Sequence, residues 1–387
     1  MLDQVTQVLA DHRYPLTLGA DGLGGAGGAW LLERARAARA TAIGERHFDA
    51  ETPQLVGALL SALRLDGYDT FVVEAGPEST RLVVEALDAG GVAAGSALLA
   101  RHPSAVAFLD RHEELRLVAD ARGMGYAVWG VDQEYLGSPR LLLERLAQLT
   151  ADPAARARLA GWLEDERRAF ARFAETGDPT GLFLLATSEG ALDALGGVDL
   201  DAGSEAARIA RQLRASAAIY RAFLDQRLYD NNAARSALLK RNFLEHAARR
   251  CDAPSAPRAL LKLGSNHAGR GRTPMFVHDL GNLVAELAFV AGGDSFHVMV
   301  EAVEAVGPDA TVTRSHERVP WLAPAFDLVG DRPAAFDLAP LRPLLTQRGG
   351  KNAELNALQD VALRYDALVL VPRVHPSRPI EPVADGA

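Results

Sequence analysis

Hydrophobic positions along the chain alternate between short continuous runs and long stretches of helical period. TAIG (41–44) precedes ETPQLVGALLSALRLDG, in which Leu55, Leu59, Leu60 and Leu63 recur at helical spacing. DTFVVEAG (69–76) is an unbroken apolar run, the pattern of a strand buried on both faces of a parallel sheet. PESTRLVVEALDAGG then restarts a helix, with Pro77 near its first turn. GYAVWGVDQE (125–134) predicts a third strand, and SPRLLLERLAQL a helix that opens on Ser-Pro. Between 140 and 250 the strand signal vanishes, and Leu/Ala–Arg/Glu turns predict three or four helices. Strand rhythm returns in PRALLKLGSNH (257–267), AFVAGGDSFHVMVEAV (288–303) and RYDALVLVPRV (364–374). The expectation is an α/β fold with a mostly parallel central sheet covered by helices and a largely helical insertion mid-chain. On this reading 1–139 and 251–387 form one discontinuous α/β domain of catalytic type, and 140–250 a helical insertion or cap.

Composition narrows the classes of function. The 387 residues are 48% hydrophobic and 24% charged, ample for a well-buried core. A net charge of −9 without a concentrated basic face argues against a nucleic-acid partner. No run of about 18 uncharged apolar residues predicts a membrane span. The opening MLDQVTQVLADHRYPLTL is acidic where a secretory leader is basic, so no leader is expected and the default location is the cytoplasm. A single cysteine, Cys251, excludes an internal disulfide framework and a Cys-based zinc site.

In open α/β sheets ligands bind beyond the carboxyl ends of the strands, so the residues at those ends are the candidates. The first strand ends in Gly44-Glu45-Arg46-His47 and the second in Glu74. The third ends in Asp132-Gln133-Glu134, and the strand after the helical stretch in Gly264-Ser265-Asn266-His267. Two imidazoles, several carboxylates and a guanidinium at such ends suit acid–base or metal chemistry. The pattern G-x-x-H occurs at 44–47 and again at 264–267; with 35 Gly and 10 His, chance alone gives about one match, so placement rather than the motif carries weight. Glu74, at the end of a buried strand, has to be paired, coordinated or at the sheet mouth. Glu45 is placed to hold an imidazole in one tautomer. One acid of the Asp132–Glu134 pair is expected to cap the following helix, and either could contact substrate. Arg270 and Arg272, near His267, could bind an anionic group, and Arg46 is a further candidate to contact substrate. GLGGAGG (22–28) lacks a preceding strand and a GK[ST] and reads as a flexible turn.

The strand–GERH–helix–strand–Glu order resembles the erythromycin esterase-like, ChaN-like and TraB/Tiki proteins. The downstream GSNH resembles the second G-x-x-H of Tiki-type members. RSALLKRNFLEHA (235–247) is similar to an esterase pattern of Arg and, seven residues on, Asn, here Arg235 and Asn242. The first motif has only Arg46 between Glu45 and His47, the ChaN and Tiki spacing rather than the esterase one. The resemblance implies a hydrolase whose His47, as base or metal ligand, activates water against an ester, lactone or amide of a small molecule. Glu45 and Glu74 would orient or coordinate, and His267 would be a second base or ligand. A metal, if present, would sit on His47, Glu74 and His267, a donor set that suits Zn²⁺, Mn²⁺ or Fe²⁺. Two alternatives follow from the same resemblance: a haem- or metal-binding protein of ChaN-like type, and a secondary-metabolism tailoring enzyme using His/Glu proton transfer.

Overall fold

A computed structural model describes residues 1–19, 22–188, 190–191, 203–249, 257–347 and 352–383. Cys251 and the predicted boundary at 250/251 lie outside the described residues. The strands, in chain order, are β1 (Arg13–Pro15), β2 (Thr17–Gly19), β3 (Gly22–Gly24), β4 (Ala40–Glu45), β5 (Thr70–Val73), β6 (Ala127–Gly130), β7 (Ala259–Gly264), β8 (Ser295–Val306), β9 (Val312–Arg314), β10 (Ala334–Asp337) and β11 (Ala367–Val374). Nine of them form one mixed, mostly parallel sheet covered by helices, in the order β1-β10-β11-β8-β4-β7-β5-β6, with β9 on β8. β4 runs parallel to both β7 and β8, and β11 runs parallel to β8. The antiparallel additions are β10 on β11, β1 on β10 and β9 on β8.

The chain divides into two compact units. The first comprises residues 1–72, 120–127 and 247–378; the second comprises 73–119, 128–246 and the residues from Pro379 on. In the first, β4 is buried along its whole length, which is why its run is apolar instead of alternating. Glycine is required at its penultimate position because a Cβ on Gly44 would lie 2.5 Å from the Tyr365 hydroxyl and 3.0 Å from its ring. Tyr365 is itself fully buried and its hydroxyl donates to the Ser265 carbonyl, so it has little room to yield. The glycines of GLGGAGG are not a flexible turn: β3 pairs with β2, and the helix Gly25–Ala37 follows directly. A Cβ on Gly27 would meet the Tyr14 carbonyl oxygen at 2.7 Å, so close packing accounts for that glycine.

In the second unit, the helices Ser138–Leu149, Pro153–Thr176, Phe183–Ala186 and Glu205–Leu224 pack a core that includes Leu142, Leu146, Leu159, Ile209 and Leu213. Helix Pro77–Arg101 is long and apolar enough to cross a membrane by length and composition. It is nevertheless broken at Gly90 and Gly91, the latter at φ 65°, a backbone that favours glycine. One sequence expectation shifts: AFV (288–290) ends the helix Leu280–Val290 rather than opening a strand, because β8 starts only at Ser295.

Replacing Gly44 with Ala should therefore destabilise the protein by about 1–3 kcal/mol, the scale of overpacking in a tight core. Chemical denaturation checks this; an unchanged midpoint would show that Tyr365 can move aside.

Candidate functional site

The first unit carries two histidines beyond the ends of neighbouring parallel strands. Glu45 is in register with Gly264, so His47 and His267 follow paired strand ends by two and three residues. Glu45 is 4% exposed. Its Oε1 accepts from Lys262 Nζ at 2.6 Å and lies 3.0 Å from His47 Nδ1. Burial alone would raise the Glu45 pKa. The Lys262 charge and the hydrogen bonds from His47 and Lys262 outweigh it and hold the group below the ordinary carboxylate value. An ionised carboxylate only accepts, so His47 donates from Nδ1, and in the neutral ring the lone pair is then on Nε2.

Lys262 belongs to β7, opposite Ile43, and is also only 4% exposed. Nothing in the motifs pointed to it. The available signal was one lysine in an otherwise apolar run, ALLKLG, which in a doubly buried strand demands a partner.

His267 repeats the arrangement. Its Nδ1 lies 2.7 Å from Asp279 Oδ2, and both residues are buried. Asp279 also receives the Leu280 amide on its other oxygen and so caps the helix Leu280–Val290. That helix sits close enough that a Cβ on Gly281 would meet the Ala268 carbonyl at 2.1 Å. Asp279 lies twelve residues beyond its histidine, a spacing that no local motif marks.

Arg46 is partly exposed, with Nε 3.9 Å from Asp49 Oδ2. Asp49 is buried beside an isolated bridge to Pro376, and Ala50 donates to the His375 carbonyl. Burial pushes Asp49 up to about 7, with the charges of Glu301, Glu45 and Glu51 adding and Arg46 opposing. Arg270 makes a two-pronged ion pair with Asp366 at 2.9 and 2.5 Å and donates to the Ser295 carbonyl. Arg342 joins the same carboxylate; burial would raise Asp366, but the two guanidiniums hold it down to about 2. Arg270 thus spends its donors inside the protein. His297 is buried between the Ala268 carbonyl and Ser295 Oγ, and burial, then the Arg270 charge, pushes it down to about 3, so it stays neutral.

The second unit has its own buried polar cluster. Arg235 Nε and Nη2 grip Asp132 at 2.9 and 2.5 Å, and Nη2 also reaches Glu74 Oε1 at 2.8 Å. Burial opposes the Arg235 charge, but Asp132 and Glu74 outweigh it and raise its pKa. Seven residues on, Asn242 donates to the carbonyls of Val131 and Asp132 and accepts from Gln212. His246 lies 3.0 Å from the Gly130 carbonyl and stacks on Trp129. Arg235, Asn242 and His246 share one face of the helix Leu228–Ala248, and together they clamp the end of β6.

Neither acid of the Asp132–Glu134 pair caps the helix after it, whose N-cap Gly137 makes no side-chain bond. Glu134 instead accepts the Glu78 amide at 2.9 Å and the Ser79 amide at 3.4 Å, capping the helix Pro77–Arg101 from across the fold. Gly76 makes this possible, since a Cβ there would strike Glu134 Oε2 at 2.1 Å. Burial, outweighing those hydrogen bonds, pushes Glu134 up to about 7.

Among the described residues no three His, Cys, Asp or Glu side chains gather closely enough to hold a metal ion. A cavity of about 180 Å³ lined by Leu2, Trp321, Pro324, Leu355 and Leu358, among others, contains none of the residues above.

No family model matches the sequence. No curated protein matches it either. Solved structures do. A mutant of the erythromycin esterase EreC in its open conformation aligns with 90% of this chain and 94% of its own, at 14% identity and a TM-score of 0.59. The chain has the erythromycin esterase fold. A protein from Bacillus cereus aligns over 98% of this chain and 99% of its own, with the same identity and TM-score. A succinoglycan biosynthesis protein covers 98% of both chains at 10% identity and a TM-score of 0.54.

Glu134 gives a pH signature. A carboxyl whose folded pKa is raised from 4.5 to about 7 binds its proton more tightly when folded. Its contribution is fully present below about pH 4.5 and is lost as pH rises through 7. Glu134→Gln keeps an acceptor without a charge. It should gain stability relative to the wild type by roughly 2–3 kcal/mol between pH 5 and 8. Denaturant unfolding across that range checks the sign; a constant difference between the two proteins would refute it.

Proposed function

We propose that the protein is a hydrolase of small-molecule esters or lactones, with His47 as the general base. The observation that carries this reading is the Lys262–Glu45–His47 chain, in which a buried, ionised carboxylate fixes the imidazole from Nδ1. The fold shared with an erythromycin esterase supplies the class of bond. Nε2 of His47 takes a proton from water, and the hydroxide adds to the substrate carbonyl. The imidazolium formed is stabilised by the carboxylate behind it, as in any oriented His–carboxylate pair. Collapse of the tetrahedral intermediate breaks the C–O bond; the alcohol, or the ring hydroxyl of a lactone, leaves with a proton. The His47 imidazolium supplies that proton from Nε2 and is a neutral base again, while Asp279 holds His267 beside it in the sheet's other strand-end loop. An ester gives one carboxylic acid and one alcohol, a lactone a single hydroxy acid, and no redox partner is needed. Arg235, with Glu74 and Asp132, has a structural part in this scheme: it pairs with two buried carboxylates and holds the end of β6 in place.

A panel of aryl esters, alkyl esters and macrolactones offered to the wild type and to His47→Asn tests the reading. Loss of the base should lower kcat by about 10²- to 10⁴-fold with circular dichroism unchanged. Equal turnover by the two proteins would remove His47 from the chemistry.

A further inference from the structure

The buried lysine takes and gives no proton in the base-and-water scheme, yet it touches the carboxylate that the scheme relies on. We infer that Lys262 is a positioning residue: its ammonium pins Glu45 Oε1 so that Glu45 presents a fixed acceptor to His47 Nδ1. This rests on the hydrolase reading for its consequence, though not for its geometry.

One oxygen does both tasks. Glu45 Oε1 is 2.6 Å from Lys262 Nζ and 3.0 Å from His47 Nδ1. Lys262 comes from β7 and Glu45 from β4, adjacent parallel strands in fixed register, with Lys262 opposite Ile43 and Glu45 opposite Gly264. The lysine stem therefore points along the sheet from a backbone that cannot slide. Gly44, the residue before Glu45, lets β4 pack closely against the buried Tyr365. His47, by contrast, sits on the loop past β4, with its side chain 28% exposed. Order is thus passed from the rigid sheet to a loop imidazole through one shared oxygen. A lysine is suited to this as a compact point charge with several donors, one of which suffices for Glu45. Without it, a carboxyl in this dry position gains its own proton, becomes able to donate, and no longer dictates which ring nitrogen of His47 carries hydrogen.

Nitrogen-15 NMR of histidine-labelled full-length protein tests this, with His47 assigned by its loss in His47→Asn. The wild type should show one tautomer, protonated at Nδ1. Lys262→Met should lose that single tautomer and show an averaged or Nε2-protonated ring. Lys262→Arg, which restores the charge, should recover the Nδ1 signature. If Lys262→Met does not fold, Lys262→Gln, a neutral donor, decides by the same readout. In turnover, the neutral variants should lose about 10–100-fold in kcat, the scale of partners that orient a functional side chain, with KM little changed. An unaltered Nδ1 signature in the folded neutral variant overturns the inference whatever its activity. An altered signature with unchanged turnover leaves the positioning role intact and overturns the hydrolase reading instead.

Discussion

A carboxylate buried at the end of a central strand is the constraint on which the rest of the first unit depends. Glu45 cannot remain charged in that position unless something nearby compensates for lost water. Lys262 does so from the neighbouring strand, and the pair holds only while β4 and β7 keep their register. Breaking one partner of a buried pair costs about 3–5 kcal/mol, more than most single contacts contribute. Sheet register, the Tyr365 ring against Gly44 and the charge of Glu45 therefore form one linked requirement. The orientation of His47 comes as its by-product.

The second unit solves the same electrostatic problem differently. Glu74 and Asp132 are buried carboxylates at strand ends, and one guanidinium from a helix serves both. The planar fork of arginine suits two acceptors, where the point charge of lysine suits one. Asn242 and His246, on the same helix face, occupy carbonyls at the end of β6, the last strand of the sheet among the described residues. Most polar groups there are thus spent on holding structure. Glu134 is the extreme case, a carboxylate closed over a helix end.

The sheet was legible because doubly buried strands leave unbroken apolar runs, and TAIG, TFVV and ALVLV mark three of them. β1 at the edge and β10 beside it were not, since strands of three and four residues outside a long apolar run carry too little period to register. Of the strand-end residues, Glu45, His47 and His267 could be named from G-x-x-H and placement. Their partners Lys262 and Asp279 could not, because pairing across a sheet or to a following helix leaves no fixed spacing. Arg270 shows the opposite limit: a guanidinium in a glycine-rich loop reads as open to ligand, yet Asp366, ninety-six residues away, already holds it. A polar residue inside an apolar run, such as Lys262 in ALLKLG, is the more useful signal.

In the proposed hydrolysis, the imidazole of His47 removes a proton from water, and the oxygen of that water ends up in the product acid. Turnover of an ester or lactone in oxygen-18 water, analysed by mass spectrometry after a single cycle, reads this directly. The account predicts one heavy oxygen in the carboxyl group and none on the alcohol oxygen, whether that is released from an ester or stays on the opened lactone. A product carrying no heavy oxygen, as elimination or intramolecular cyclisation would give, contradicts it.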